Sequence, residues 1–191
     1  MNQHMPDIQP ETRTLKELAA SRLTPGQHYY HGTRFRTLLL LKPDGGEWPS
    51  ALLRDRVLQP VDKVVLLLAI TLARQTDGAA YLPRQKELAT MANVASPDTV
   101  WRAVSILRCA RWLVSCQRIS CKGRPAEPCA YVVCSRPLPL PDTLFLDPDY
   151  AAFLDKSVSH GHQRVRAVAD LIRSQLPDDI RSAGTEQHTL P

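Results

Sequence analysis

The sequence predicts a mainly α-helical chain carrying a small β-hairpin, and three observations lead there. First, two short apolar-striped segments flank a tight turn at Asn93 and Ser96. Second, after Arg111 the apolar period changes from helical to alternating, giving two strand-like runs around a Lys122-Gly123-Arg124-Pro125 tip. Third, no Asp or Glu occurs from Thr99 to Ala126, whereas Arg102, Arg108, Arg111, Arg118, Lys122 and Arg124 all fall there. Helix, tight turn, helix and then a hairpin with a basic tip is the order of a winged helix-turn-helix. The expected organisation is a disordered start (1–10), an N-terminal extension (11–50), the winged module (51–135), a proline-rich connector with C-terminal helices (136–175) and a disordered end (176–191).

Along the chain, Thr14 to Arg22 reads as a short helix with Leu15, Leu18 and Ala19 on one side. HYYHGTRFRTLLLLKPDGG reads as a strand or hairpin closed by a turn at Lys42–Gly46. Pro49 and Ser50 introduce a short helix in ALLRDRVL. Pro60 and Asp62 open a longer one, because proline suits the first helical position and an acid suits the first turn. Thr76-Asp77-Gly78 ends that helix, and Ala79 to Leu82 is extended.

RQKELATMA then places Leu88, Ala89, Met91 and Ala92 on one stripe. Asn93 follows at a position suited to the left-handed conformation, which Asn tolerates best after Gly. Ser96 is a preferred N-cap, with Pro97 beginning a helix that runs to about Cys109. Residues 112–120 and 129–134 form the hairpin. SRPLPLPD (135–142) is a stiff connector, and DPDYAAFLDK and HGHQRVRAVADLIRSQL are amphipathic helices.

Composition restricts the function. With 43% hydrophobic and 23% charged residues the chain has ordinary globular composition. Its longest apolar run, Val64 to Ile70, is too short to span a membrane, and the first residues do not read as a secretory signal, so a cytoplasmic, nucleoid-associated location is expected. The net charge is +5, but residues 99–141 hold seven basic residues against one acidic. Such a block suits a polyanion, and double-stranded DNA is the first candidate partner; a solvated basic face is the plain alternative.

If Val100, Ala103, Val104 and Leu107 face inward, then Asp98, Arg102 and Ser105 lie opposite, flanked by Trp101 and Arg108. Arg102 can donate two parallel bonds to guanine O6 and N7, and Ser105 can donate or accept. Ser96 and Thr99 lie at the helix start. Trp101 either packs against the sugar-phosphate wall or covers the core edge. Arg84 and Lys86 on the preceding helix, and Arg118, Lys122 and Arg124 on the wing, are the expected phosphate contacts, with Arg124 placed to enter the minor groove. A winged helix used only for protein contact is the competing reading.

Further residues bear on chemistry. Cys109, Cys116, Cys121, Cys129 and Cys134 form no CxxC pair, which favours small core residues over a zinc site or disulfide framework. His160-Gly161-His162 reads as two surface histidines at a helix start. Asp142, Asp147 and Asp149 suggest either a nuclease or relaxase carboxylate cluster or, more simply, a helix cap and first turn. Without a Gly-rich phosphate loop, HExxH or GxSxG, neither catalysis nor a cofactor is expected. Val165, Val168, Leu171 and Ile172 lie at helical spacing, and either pair two subunits in a homodimer or pack back on the domain.

Three blocks carry a resemblance: GTRFRTLLLL…WPSALLRDRVLQP, then LPRQKELATMANVASPDTVWRAVSILRCARWLVSCQRI, then YVVCSRPLPLPDTLFLDPDYAAFL. Together, over about residues 32–170, they resemble helix-turn-helix proteins of bacterial integrative and conjugative elements and pathogenicity islands, labelled replication proteins. The resemblance implies binding to the element's double-stranded DNA, in its replication or maintenance alongside replication proteins. Transcriptional regulation of the same element is the alternative.

Overall fold

A computed structural model describes residues 8–10, 12–14, 17, 29–30, 33–34, 36–40, 50–75, 79–121, 124–177 and 180. It is mainly helical with a small sheet. Strands β1 (Tyr29–Tyr30) and β2 (Thr33–Arg34) pair with each other. Then come β3 (Arg36–Leu40), α1 (Ser50–Arg54), α2 (Pro60–Gln75), β4 (Ala79–Leu82), α3 (Gln85–Met91) and α4 (Pro97–Cys109). The hairpin β5 (Leu113–Cys121) and β6 (Arg124–Val133) precedes α5 (Leu140–Leu146), α6 (Tyr150–Val158) and α7 (Gln163–Ser174).

The sheet has four strands in the order β4-β3-β6-β5, with β3 antiparallel to β4 but parallel to β6. Its faces alternate with the pleat. Leu38, Leu113, Tyr131 and Val133 point into the main core with α2, α4 and α7. Leu39, Val114, Ala130 and Val132 point into a second core closed by Leu138 and Leu146. The expected N-terminal extension therefore supplies an interior strand of the sheet, not an appendage.

Other expectations also change. Within the stretch expected to be disordered, Ile8 is buried and the Gln9 N–H donates to Asp142 Oδ1 at 2.9 Å. Of the expected 14–22 helix, residues 14 and 17 are described and helical, and helical conformation already occurs at residues 10, 12 and 13; the rest lies outside the described residues. The last three residues of the connector, 140–142, are helical, because Pro141 falls in the first turn of α5, where a missing N–H costs nothing. Leu176, expected in a disordered end, is buried, and Ile180 packs on the core. The turns at 42–46 and 76–78 and the residues after 180 lie outside the described residues.

The turn between α3 and α4 follows from local chemistry. Asn93 has φ 51°, the Val94 N–H donates to Ala89 O (2.9 Å) and the Asn93 N–H donates to Thr90 O (3.1 Å). These are the two bonds of a Schellman motif, which satisfies the carbonyls at the end of α3. Asn93→Gly should keep full stability, whereas Asn93→Val should lose about 1–2 kcal/mol from forcing a β-branched residue left-handed. Urea denaturation of both variants tests this; equal midpoints would contradict it.

The same motif closes α4. Arg111 has φ 60°, the Trp112 N–H donates to Leu107 O (3.0 Å) and the Arg111 N–H to Arg108 O (3.1 Å). The turn sends Trp112 into the core, where its indole N–H donates to Asp55 Oδ2 at 2.8 Å. The following Cys134 N–H and Leu138 N–H donate to Trp112 O and Arg111 O, tying the connector to this corner.

Candidate nucleic-acid interface

Helix α4 is open at its beginning and closed at its end. The Ser96 Oγ accepts from the Asp98 N–H at 3.2 Å, so Ser96 is spent as the cap. Asp98 is exposed, and Thr99, Trp101 and Arg102 are half-buried. Arg102 Nη2 donates to Thr99 Oγ1 at 2.7 Å, a neutral partner one turn back. Trp101 packs against the main core, the second of the two roles open to it from sequence. At the start of α3, the N-cap Arg84 and Lys86 are exposed, and the Arg84 N–H donates to Glu87 Oε2 at 3.0 Å, fixing the helix start.

From Ala103 to Ala110 every residue is buried, which corrects two of the expected DNA-facing positions. Ser105 is buried, with its hydroxyl donating to Trp101 O at 3.0 Å. Arg108 is buried as well: Nη2 lies 3.3 Å from Asp147 Oδ2, and the guanidinium sits 3.8 Å from the Phe153 ring centre and 5.9 Å from that of Tyr131. The physical reason is that the C-terminal helices lie on this part of α4. Val165, Val168, Ala169 and Ile172 of α7 and Leu154 of α6 join its core, and the Tyr150 hydroxyl donates to Cys109 O, the last carbonyl of the helix. The stripe considered for pairing two subunits is thus used inside the chain, apart from exposed Leu171.

The hairpin extends past the sheet: β3 pairs with β6 only at residues 130–133, whereas β5 pairs with it from Val133 to Arg124. Arg118 and Arg124 are strand positions in that distal half, opposite Pro128 and Cys121 respectively, and Lys122 lies outside the described residues. The structure therefore brings Ser96, Asp98, Thr99 and Arg102 together at the start and over the first two turns of α4, with Arg84 and Lys86 at the start of the helix before it.

The other chemistry-bearing residues have structural work. Asp142 accepts from Gln9, Asp147 pairs with Arg108, and Asp149 precedes the first turn of α6, its carbonyl accepting from the Phe153 N–H. Among the described residues no group of three His, Cys, Asp or Glu side chains could hold a metal ion. Cys109, Cys116 and Cys134 are buried, and burial pushes the Cys109 thiol up to about 11 and the Cys134 thiol to about 12, so both stay protonated at neutral pH. Cys121 and Cys129 are described as strand positions.

One basic cluster escaped the sequence reading. His162 caps α7, its Nδ1 accepting from the Arg164 N–H at 3.3 Å, and stands close enough to Arg102, His160, Arg166 and Arg164 to feel their charge. Partial desolvation, followed by that repulsion, holds its imidazole below the ordinary histidine range. Arg164 is committed elsewhere, at 2.8 Å from Asp62 Oδ2 and donating to Val57 O at 2.8 Å. The only sequence signal was His160-Gly161-His162 itself; Arg102 reaches it through tertiary packing of α4 on α7. Among the described residues no helix is long and apolar enough to cross a membrane. Comparison with protein-family models, with curated proteins and with solved structures finds no match to this chain.

Proposed function

We propose that this chain is a winged-helix protein that binds double-stranded DNA through the first two turns of α4, without catalysis. The observation that carries the reading is the open start of that helix. Asp98 is exposed and Thr99 and Arg102 are half-buried beyond the Asn93 turn, while α4 from Ala103 onward is buried. Residues at the start of a recognition helix are those that meet base edges in the major groove. Arg102 is held by one neutral hydroxyl, which it can exchange for guanine O6 and N7. Arg84 and Lys86 flank the groove as phosphate contacts, and β5–β6 has the length and the acid-free sequence around its tip to serve as the wing. Asp98 accepts from a cytosine amino group or stabilises the positive end of its own helix.

The biological setting proposed is replication or maintenance of a mobile genetic element, and it rests on the order of the three sequence blocks. Binding at repeated sites within an origin would follow from that role, and a single promoter-like operator from transcriptional regulation.

Fluorescence anisotropy with labelled duplexes over a salt series tests the binding. Wild type should bind with log affinity falling linearly against log salt. Lys86→Ala should weaken every duplex alike and flatten the slope by about one unit, whereas Arg102→Ala should lose about 1–3 kcal/mol of discrimination at one base pair. No binding at about 50 mM salt and micromolar protein would overturn the reading, since the electrostatic term is strongest there.

A further inference from the structure

We infer that the loop joining α6 to α7 forms a second contact for backbone phosphate, made by the imidazoles of His160 and His162 with the guanidinium groups of Arg166 and Arg102. This contact rests on the DNA reading and extends its surface from the start of α4 onto the C-terminal helices.

Hydrogen bonding sets the chemistry of the two imidazoles. The His162 N–H donates to His160 Nδ1 at 3.0 Å, and the Arg164 N–H donates to His162 Nδ1 at 3.3 Å. A neutral imidazole carries one N–H, so an Nδ1 that accepts leaves the proton on Nε2. Both rings are therefore hydrogen-bond donors through Nε2 while uncharged. Arg166 braces the loop by donating from Nη1 to His160 O (2.6 Å) and Gly161 O (3.0 Å). Those bonds use one nitrogen of a group with five N–H donors and keep its positive charge in place.

The charges around the loop favour an anion. On α4 the neighbour is Arg102, whose own partner is the neutral Thr99. On α7 they are Arg166 and Arg164, of which Arg164 is neutralised by Asp62 of α2. Asp155 of α6 turns away, pairing with Arg173 near the other end of α7 at 2.5 Å. Gly161, at the centre of the loop, is exposed, and a Cβ built on it would meet nothing within 4 Å. The surface above the loop is open to an approaching phosphate.

That open space also supplies the test, because a side chain at position 161 enters it without disturbing the packing. The experiment is duplex binding by anisotropy at pH 8, where His162, its imidazole held below the ordinary histidine range, is neutral, over a salt series. Gly161→Lys should tighten binding several-fold and steepen the salt slope by about one unit, and Gly161→Asp should do the reverse. His162→Asn keeps an N-cap oxygen for α7 but removes the Nε2–H donor. It should weaken binding several-fold with the slope unchanged, since a neutral donor displaces no counterion. Wild-type binding with all three variants equal to it would overturn this contact and leave the α4 interface standing. Absence of wild-type binding would overturn both.

Discussion

A fragment beginning at residue 50 should show no cooperative thermal transition, although it retains α2, α3, α4 and the whole hairpin. The strand it lacks, β3, sits between β4 and β6, so its loss leaves the facing N–H and C=O groups of both neighbours without partners. It also empties both cores at once, since Leu38 and Leu39 are each 0% exposed on opposite faces of the sheet. Truncating one buried leucine to alanine costs about 2–5 kcal/mol. Two such losses together with two broken strand ladders exceed the roughly 5–15 kcal/mol by which a domain is stable. Circular dichroism melts of residues 50–177 and of the full chain decide the matter. A fragment that melts cooperatively would mean that β3 is dispensable. Leu38→Ala and Leu39→Ala in the full chain give graded versions of the result, each expected to lower the urea midpoint substantially.

Where local chemistry decides, the sequence was legible. Asn93, Ser96 and Pro97 each have an intrinsic preference for the position they take, and α3 ends and α4 begins where those preferences place them. Arg111 has no such preference. It turns left-handed because doing so lets Trp112 bond back to Leu107 O and enter the core, and only the folded chain rewards that. The place of β3 was half legible. A continuous apolar run such as Leu38 to Leu41 is the mark of a strand covered on both faces, as parallel strands are. Its partner β6, however, lies far along the chain, and no local signal selects it.

The candidate interface divides in the same way. Arg84, Lys86, Asp98 and Arg102 are in or near exposed first turns, where a helical wheel is informative. One apolar face, Val100 to Leu107, accounts for packing on α2 and α3 and by itself leaves Ser105 and Arg108 outside that face. The second packed face, with Ile106 and Cys109, exists because α7 needs a surface for Val165, Val168 and Ile172. Two amphipathic stripes that satisfy each other cannot both be read until it is known that they meet. The basic loop at His160 became visible for the same reason, since the packing that hides Arg108 brings Arg102 beside it.

Arg108→Ala should therefore lower stability by about 3–5 kcal/mol, because it removes the opposite charge that faces a carboxylate buried in the fold. Asp147 is 3% exposed and Arg108 9%, so neither charge has water to replace its partner. The guanidinium also sits over the Phe153 ring, 3.8 Å from its centre, and adds a cation–π attraction that alanine loses. Asp147→Ala should be similarly costly, leaving the arginine uncompensated between α4 and α6. The paired change Arg108→Met with Asp147→Leu should regain most of the loss, since apolar side chains of comparable volume often replace a buried pair at little net cost. Urea denaturation of the three variants measures this, and duplex binding below their midpoints supplies the second readout. Folded Arg108→Ala should bind DNA with the wild-type salt slope, because its charge faces Asp147 and not the groove. Unchanged stability together with a flatter slope would mean the opposite: that the second half of α4 opens to the duplex and that the C-terminal helices leave it to let DNA in.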